Sequence, residues 1–460
     1  MSFYNHVGRA IFRHCKPVKS LYCRIGTATH YSLKYTASHL PDTEVTTLPS
    51  NGFRIASENW NTPTCTVGVW VDVGSRCETE KNNGVAHFLE HMAFKGTGKR
   101  TQQSLELEVE NKGAHLNAYT SREMTLLNYC LIYLKIANST RHKSKGNGAL
   151  FSVKWRYVCC LVMTLPLKEI ESNYQEVIFD YLHATAYQGT PLGRTILGPV
   201  ENVKSLQPQD LRNFIKSNYK APHMVLCAAG GVDHKQLSDL AEQHFSDFSA
   251  SYLPGEGMPD RSHCRFTGSE IRDRDDAMPL AHAAIAFEGP GWTNPDTLPL
   301  MVASSIHGAW DRSFGGGSNV ASKLAARFFT EDSVHSFQHF FTCYHDTSLW
   351  GVYLTCEKMG LHDGVKEFMK EFVRMCTQIS ENEVERAKNQ LKTHLLLQLD
   401  GTTPVCEEIG RHMLVYGRRI PLPEMLQRID VPSKLCPTII ESEIKPGGCV
   451  YNTRVPLAPV

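Results

Sequence analysis

No stretch of this chain reaches the roughly 18–20 uninterrupted apolar residues that cross a bilayer. The nearest approach, Tyr157 to Leu167, is too short and follows Lys154 and Arg156. No transmembrane segment is expected. A dominant charge is missing too: 48 Lys and Arg against 47 Asp and Glu leave +1. Phosphate binding needs a basic excess, so nucleic acid is excluded as the main partner. The 15 cysteines contain no C-x-x-C pair, and the adjacent Cys159 and Cys160 suit no zinc knuckle. Such a scattered, odd set reads as free thiols in a reducing compartment.

Acid is absent from two places. Before Asp42 the chain carries Arg9, Arg13, Lys16, Lys19, Arg24 and Lys34 but no carboxylate, with hydroxyl and aromatic residues between them. A basic, acid-free leader of this kind resembles a mitochondrial transit peptide, here residues 1–45. Between Glu123 and Glu169 there is again no acid, but Lys135, Arg141, Lys143, Lys145, Lys154, Arg156 and Lys168, with a flexible Ser144 to Gly148.

What the chain does have is His87-Phe88-Leu89-Glu90-His91. In an α-helix residues four apart lie one above the other, so His87 and His91 can offer two imidazoles to one ion. Glu90 lies about 60° round the axis from His87, where it reaches a metal-activated water without being a ligand. Zinc chemistry needs such ligands, an open position and a carboxylate to take the water's proton. H-x-x-E-H is the inverted form of the commoner H-E-x-x-H signature. Val85, Phe88, Leu89 and Met92 form one apolar stripe, with the histidines and Glu90 at its margin.

At 460 residues, with 42% hydrophobic and 21% charged residues, the chain is an ordinary globular protein of two to four domains. Val67, Val69, Val71 and Val73 alternate, giving a strand over Cys65 to Arg76 before the His87 helix. Thr101 caps a helix through Asn111 that Gly113 ends, and His115 to Ser121 is a strand. Met224 to Ala229 is another, followed by the turn Gly230-Gly231 and a helix from its cap Asp233 to Phe245. A second half repeats the plan: Ala283, Ile285 and Phe287 alternate, Gly289-Pro290-Gly291 ends that strand, and a helix spans Leu298 to His307 without H-x-x-E-H. The fold class is α+β: two halves joined near residues 250–265, each an antiparallel-rich sheet with helices on one face. Residues 46–255 form the metal-bearing half and 256–460 the half without metal.

The H-x-x-E-H run with its flanks Asn82-Asn83-Gly84 and Met92 to Thr97, then Gly113 to Glu123, Phe179 to Tyr187, Leu192 to Pro199, Trp310 to Gly317 and Leu399 to Pro404, resembles the pitrilysin/insulysin metallopeptidase family in its transit-peptide-processing branch. The likeness covers about residues 45–126 and 169–430. It implies two homologous halves closing like a clamshell, Zn2+ on the first, and a heterodimer with an alpha subunit of the processing peptidase. The implied activity is a zinc metalloendopeptidase that removes N-terminal transit peptides from imported precursors in the mitochondrial matrix. By position His87 and His91 would be metal ligands and Glu90 the catalytic base. Glu176 and Asp180, four apart on one helical face, would bind a substrate arginine as paired carboxylates can. Extended substrate would add to the sheet edge at Asn117 to Ser121.

Two stretches depart from the family, 127–168 and 431–460. Counting back from Phe179-Asp180 puts Pro166 where the third zinc ligand, a glutamate, belongs; proline cannot bind zinc and costs about 3 kcal/mol inside a helix. Glu169 is the nearest carboxylate. The tail after Asp430 is expected to lack the last strand and helix. Two alternatives stay open: a structural core subunit of the ubiquinol–cytochrome c reductase complex, which shares the fold, or a product disabled by the missing third ligand.

Overall fold

The structure is a computed structural model and describes residues 40–96, 100–132, 173–251, 262–275, 277–314, 320–330, 333–431 and 446–452. In the first half the strands are β1 (Glu44–Thr47), β2 (Arg54–Asn59), β3 (Thr64–Val71), β4 (His115–Thr120), β5 (Thr125–Ile132) and β6 (Met224–Gly230). Its helices are α1 (Val85–Met92), α2 (Gln102–Glu110), α3 (Tyr174–Ala186), α4 (Val200–Ser205), α5 (Pro208–Asn218) and α6 (His234–Phe245). The second half contributes β7 (Glu270–Asp273), β8 (Ala281–Pro290), β9 (Ala309–Asp311), β10 (Val334–Cys343), β11 (Thr347–Cys356) and β12 (Pro446–Asn452). With them come α7 (Thr297–His307), α8 (Lys323–Thr330), α9 (Leu361–Thr377), α10 (Glu381–Gln398), α11 (Thr402–Val415) and α12 (Leu422–Asp430).

The strand orders are β1-β2-β6-β3-β5-β4 and β7-β12-β8-β11-β10-β9. Each sheet is antiparallel except for one pair, β2 with β6 and β7 with β12. Laying β2-β6-β3-β5-β4 over β7-β12-β8-β11-β10 brings the two parallel pairs into coincidence. The halves therefore share one plan. Local signals hold: Thr101 accepts a hydrogen bond from Ser104 N at 3.2 Å to start α2, and Asp233 one from Gln236 N at 2.9 Å to start α6. β3 stops at Val71, short of the expected Arg76, because the chain tightens into a 3-10 turn at Ser75–Cys77. There Ser75 N and Arg76 N donate to the carbonyls of Ser121 and Arg122.

Helices pack on one face of each sheet: α1, α5 and α6 on the first, α7 to α10 on the second. The opposite face is closed by one helix from the other half. α3 lays Ile178, Leu182 and Ala186 on Ala284, Ala286 and Leu349, while α11 lays Val405, Cys406 and Ile409 on Ala56, Trp70 and Val225. Strands covered on both sides have no face left for solvent, so β6 and β11 are buried along their whole length rather than alternating. Close approach needs small residues. A Cβ on Gly410 of α11 would overlap the Trp70 indole.

The tail differs from expectation. β12 inserts between β7 and β8, parallel to the first and antiparallel to the second, so the last strand is present. Two flanking strands with unpaired backbone groups favour a strand there, and Val450-Tyr451 suits one. β1 begins at Glu44, just inside the expected 1–45 leader, and Thr43 donates to Glu58 at 2.7 Å.

Buried in the second core, His307 and His339 stack at 5.2 Å, and none of their four ring nitrogens has a hydrogen-bond partner among the described residues. Burial, then Arg374, pushes His307 down to about 3; burial, then His307, holds His339 well below its usual range.

Two outcomes follow. Gly410→Ala should lower unfolding free energy by about 1–3 kcal/mol through overpacking against Trp70, measured by urea denaturation; an unchanged midpoint would contradict this packing. Histidines kept neutral in the fold charge in the unfolded chain below pH 6.5. Stability is therefore complete above that pH and falls as pH drops, His307 alone contributing about 1.4 kcal/mol per pH unit down toward pH 3 and His339 adding a loss of the same sign. His339→Phe should flatten the slope between pH 6 and 4 relative to the parent, read from denaturation midpoints across that range.

Candidate metal centre and cleft

α1 is two turns long and starts without a capping side chain. Its N-cap, Gly84, is left-handed at φ 102, and a Cβ there would lie 2.5 Å from the Leu197 carbonyl oxygen. Only glycine fits. Asn83 and Ala86 are buried as well, so water cannot serve the free N–H groups of the first turn. A carboxylate from the preceding loop serves them. Glu78 accepts from Gly84 N at 2.9 Å, Ala86 N at 2.7 Å and Asn83 Nδ2 at 2.7 Å. Burial pushes its carboxyl up to about 7 against those three donors and Arg194.

α1 buries Val85, Phe88, Leu89 and Met92 in the first core and leaves His87, Glu90 and His91 at the margin, half-buried. The two imidazoles meet with Nε2 of His91 3.1 Å from Nε2 of His87, their planes 85° apart. Glu90 Oε2 stands 3.7 Å from His87 Nδ1. Burial, then His87, lowers the His91 pKa, which keeps that ring neutral and able to bind metal. Two nitrogens bound to one tetrahedral zinc ion stand about 3.3 Å apart. The imidazole pair fits two corners of such a site. Among the described residues no group of three or more His, Cys, Asp or Glu is arranged to hold a metal ion. Pro166 and Glu169 lie outside the described residues, with the rest of 133–172.

Beside α1, β4 pairs among the described residues only with β5, so its other edge carries no strand among them. The segment Asn117 to Ser121 runs along that edge into the β4–β5 turn. Glu176, in the first turn of α3, is exposed and makes no hydrogen bond or ion pair among the described residues. Asp180, one turn on, accepts from Arg122 Nη2 at 2.7 Å; burial raises its carboxyl and Arg122 opposes that. The expected acid pair is thus unequal: one member is open, the other is partnered within the chain.

The halves are tied by partly buried charge. Arg76 donates to Glu123 Oε1 at 2.6 Å and, bidentately, to Asp346 Oδ1 at 2.6 Å and Oδ2 at 2.9 Å. Cys264 N donates to Asp346 at 2.8 Å, and His345 N to Glu123 at 3.0 Å. Sequence reasoning missed Glu78, Arg122 and this Arg76 network, because loop residues follow no period. One signal was available: a helix opening on glycine needs its acceptor from elsewhere. Arg76→Ala would strand two half-buried carboxylates and should cost about 1–3 kcal/mol in chemical denaturation; a loss within error of zero would show that the clamp carries no stability.

Two family models match the chain: Insulinase (Peptidase family M16) over residues 54–132 and Peptidase M16 inactive domain over 205–391. The chain is similar to mitochondrial-processing peptidase subunit beta of Rattus norvegicus, 54% identical over 400 residues, 85% of this chain and 80% of that one. The figures for the Homo sapiens subunit are the same. It is also similar to cytochrome b-c1 complex subunit 1, mitochondrial, of Rattus norvegicus, 48% identical over 88% of this chain and 84% of that one. In fold it resembles a chain of complex III2 from Candida albicans, Inz-5 bound, with a TM-score of 0.73, 24% identity, and coverage of 89% and 95%. Similarity of this depth over most of the chain, with an H-x-x-E-H helix in the first of two like halves, places the chain in peptidase family M16, the insulinase family.

Proposed function

We propose that the chain is the zinc-bearing subunit of a metalloendopeptidase that removes N-terminal transit peptides from imported precursors in the mitochondrial matrix, paired with an alpha subunit. The observation that carries this is the convergence of His87 and His91 at 3.1 Å, with Glu90 adjoining, beside the free edge of β4. It is supported by 54% identity to processing-peptidase beta subunits.

His87 and His91 would hold zinc, which supplies a Lewis acid for the scissile carbonyl and lowers the pKa of the attacking water. Glu90 receives the water's proton on its carboxylate and passes it to the departing amine. β4 offers its unpaired N–H and C=O groups to an extended peptide, which suits an unfolded leader. Glu176 gives an open carboxylate to a substrate guanidinium, whereas at Asp180 the substrate competes with Arg122. The chain's own leader ends before Thr43, since β1 and the Thr43–Glu58 bond belong to the folded sheet.

A second reading, a core subunit of ubiquinol–cytochrome c reductase, is favoured by the 48% identity to a cytochrome b-c1 subunit. Glu90→Gln separates the two. In complex with the alpha subunit it should cut presequence cleavage by roughly 10²–10⁴-fold while zinc per chain is kept. Turnover near the parent rate would remove Glu90 from its role. Parent protein that cleaves nothing and purifies with cytochromes would favour the core subunit, and zinc-free, inactive parent would favour a disabled chain.

A further inference from the structure

α1 has eight residues, with His87 in its first turn and His91 in its last. Both ligands stay on one ion only while both turns stay wound. A short helix is least stable at its ends, where N–H groups lack partners. Here Gly84 can carry no side chain; Asn82 O takes the amide of Val85, while the buried amides of Gly84 and Ala86 have neither water nor a local cap. We infer that Glu78 is the positioning residue of the metal helix: through the amides of Gly84 and Ala86 its buried carboxylate fixes the turn that carries His87, and so the spacing of the two imidazoles. This rests on the zinc reading above.

The carboxylate is itself held on both sides. Asn83 Nδ2 donates to it, Arg194 donates to the Glu78 backbone carbonyl, and Asn83 Nδ2 also donates to Thr195 O at 2.9 Å. Two residues back, Arg76 locks the same loop to Asp346 of the second half. The half without H-x-x-E-H thereby helps aim the ligands of the half that has it. Glutamine has the shape of glutamate but offers one acceptor oxygen, and its amide N–H would face an amide N–H of α1.

The test uses the full chain assembled with its alpha partner and reads zinc affinity by chelator competition, kcat and KM for a presequence peptide, and Tm. Glu78→Gln should weaken zinc binding about tenfold, the scale seen when residues behind metal ligands are changed. At saturating zinc it should lower kcat more than KM rises. Asn83→Ala, which keeps the carboxylate, should show a smaller loss of the same sign. Asn51→Ala is the control: it removes buried bonds to the carbonyls of Phe245, Ser246 and Phe248 and should lower Tm with zinc affinity unchanged. The inference is overturned if Glu78→Gln keeps zinc affinity within about twofold of the parent while losing as much Tm as the control. Should that variant not fold, parent-like zinc affinity in Asn83→Ala overturns it instead. Parent protein that binds no zinc sinks the functional reading itself, and this inference with it.

Discussion

Each half depends on the other to dry one face of its sheet. α3 leaves the first half to cover Ala284, Ala286 and Leu349, and α11 leaves the second to cover Ala56, Trp70 and Val225. At about 25 cal/mol per Å2 of apolar surface removed from water, covering a sheet face stabilises a domain as much as almost any other contact it makes. Neither half could keep that stabilisation alone. The exchange also explains the alanines of the central strands, which let a helix sit close, and Gly410 of α11, which brings that helix onto Trp70.

That mutual cover gives the H-x-x-E-H helix a packed background. α1 rests on the first core with one face and leaves His87, Glu90 and His91 half-buried at its margin, next to a strand edge that carries no partner among the described residues. Its loop is pinned by Arg76 to a turn of the second half, and the β4–β5 turn is pinned there through Glu123. The helix carrying His87, Glu90 and His91, the β4 edge and the Arg76 loop are therefore tied together by one set of hydrogen bonds and ion pairs. Buried ion pairs contribute little net stability, but breaking one is costly, so such a clamp fixes a geometry more than it strengthens a fold.

Much of this was legible in the sequence. H-x-x-E-H, the caps Thr101 and Asp233, and the second-half strand through Ala283, Ile285 and Phe287 all announce themselves through period or capping chemistry, and they stand where expected. The covering of the second sheet faces was not, because a buried alternating strand and a doubly buried one differ only in a few small residues whose meaning depends on distant helices. Glu78 and Arg122 were illegible for a related reason: a loop residue that reaches a remote amide or carboxylate leaves no local pattern. β12 was missed because a strand flanked on both sides takes its conformation from its neighbours, whatever its own propensity. The third-ligand position, read as Pro166 from the sequence, falls outside the described residues.

The helix exchange has a consequence for synthesis. A ribosome delivers the chain from its amino end, and domains usually fold as they emerge. Here the first sheet emerges with a bare back that α11 reaches only much later, and the second sheet stays split until β12 arrives between β7 and β8. Until those late segments arrive, the nascent chain leaves apolar sheet surface uncovered.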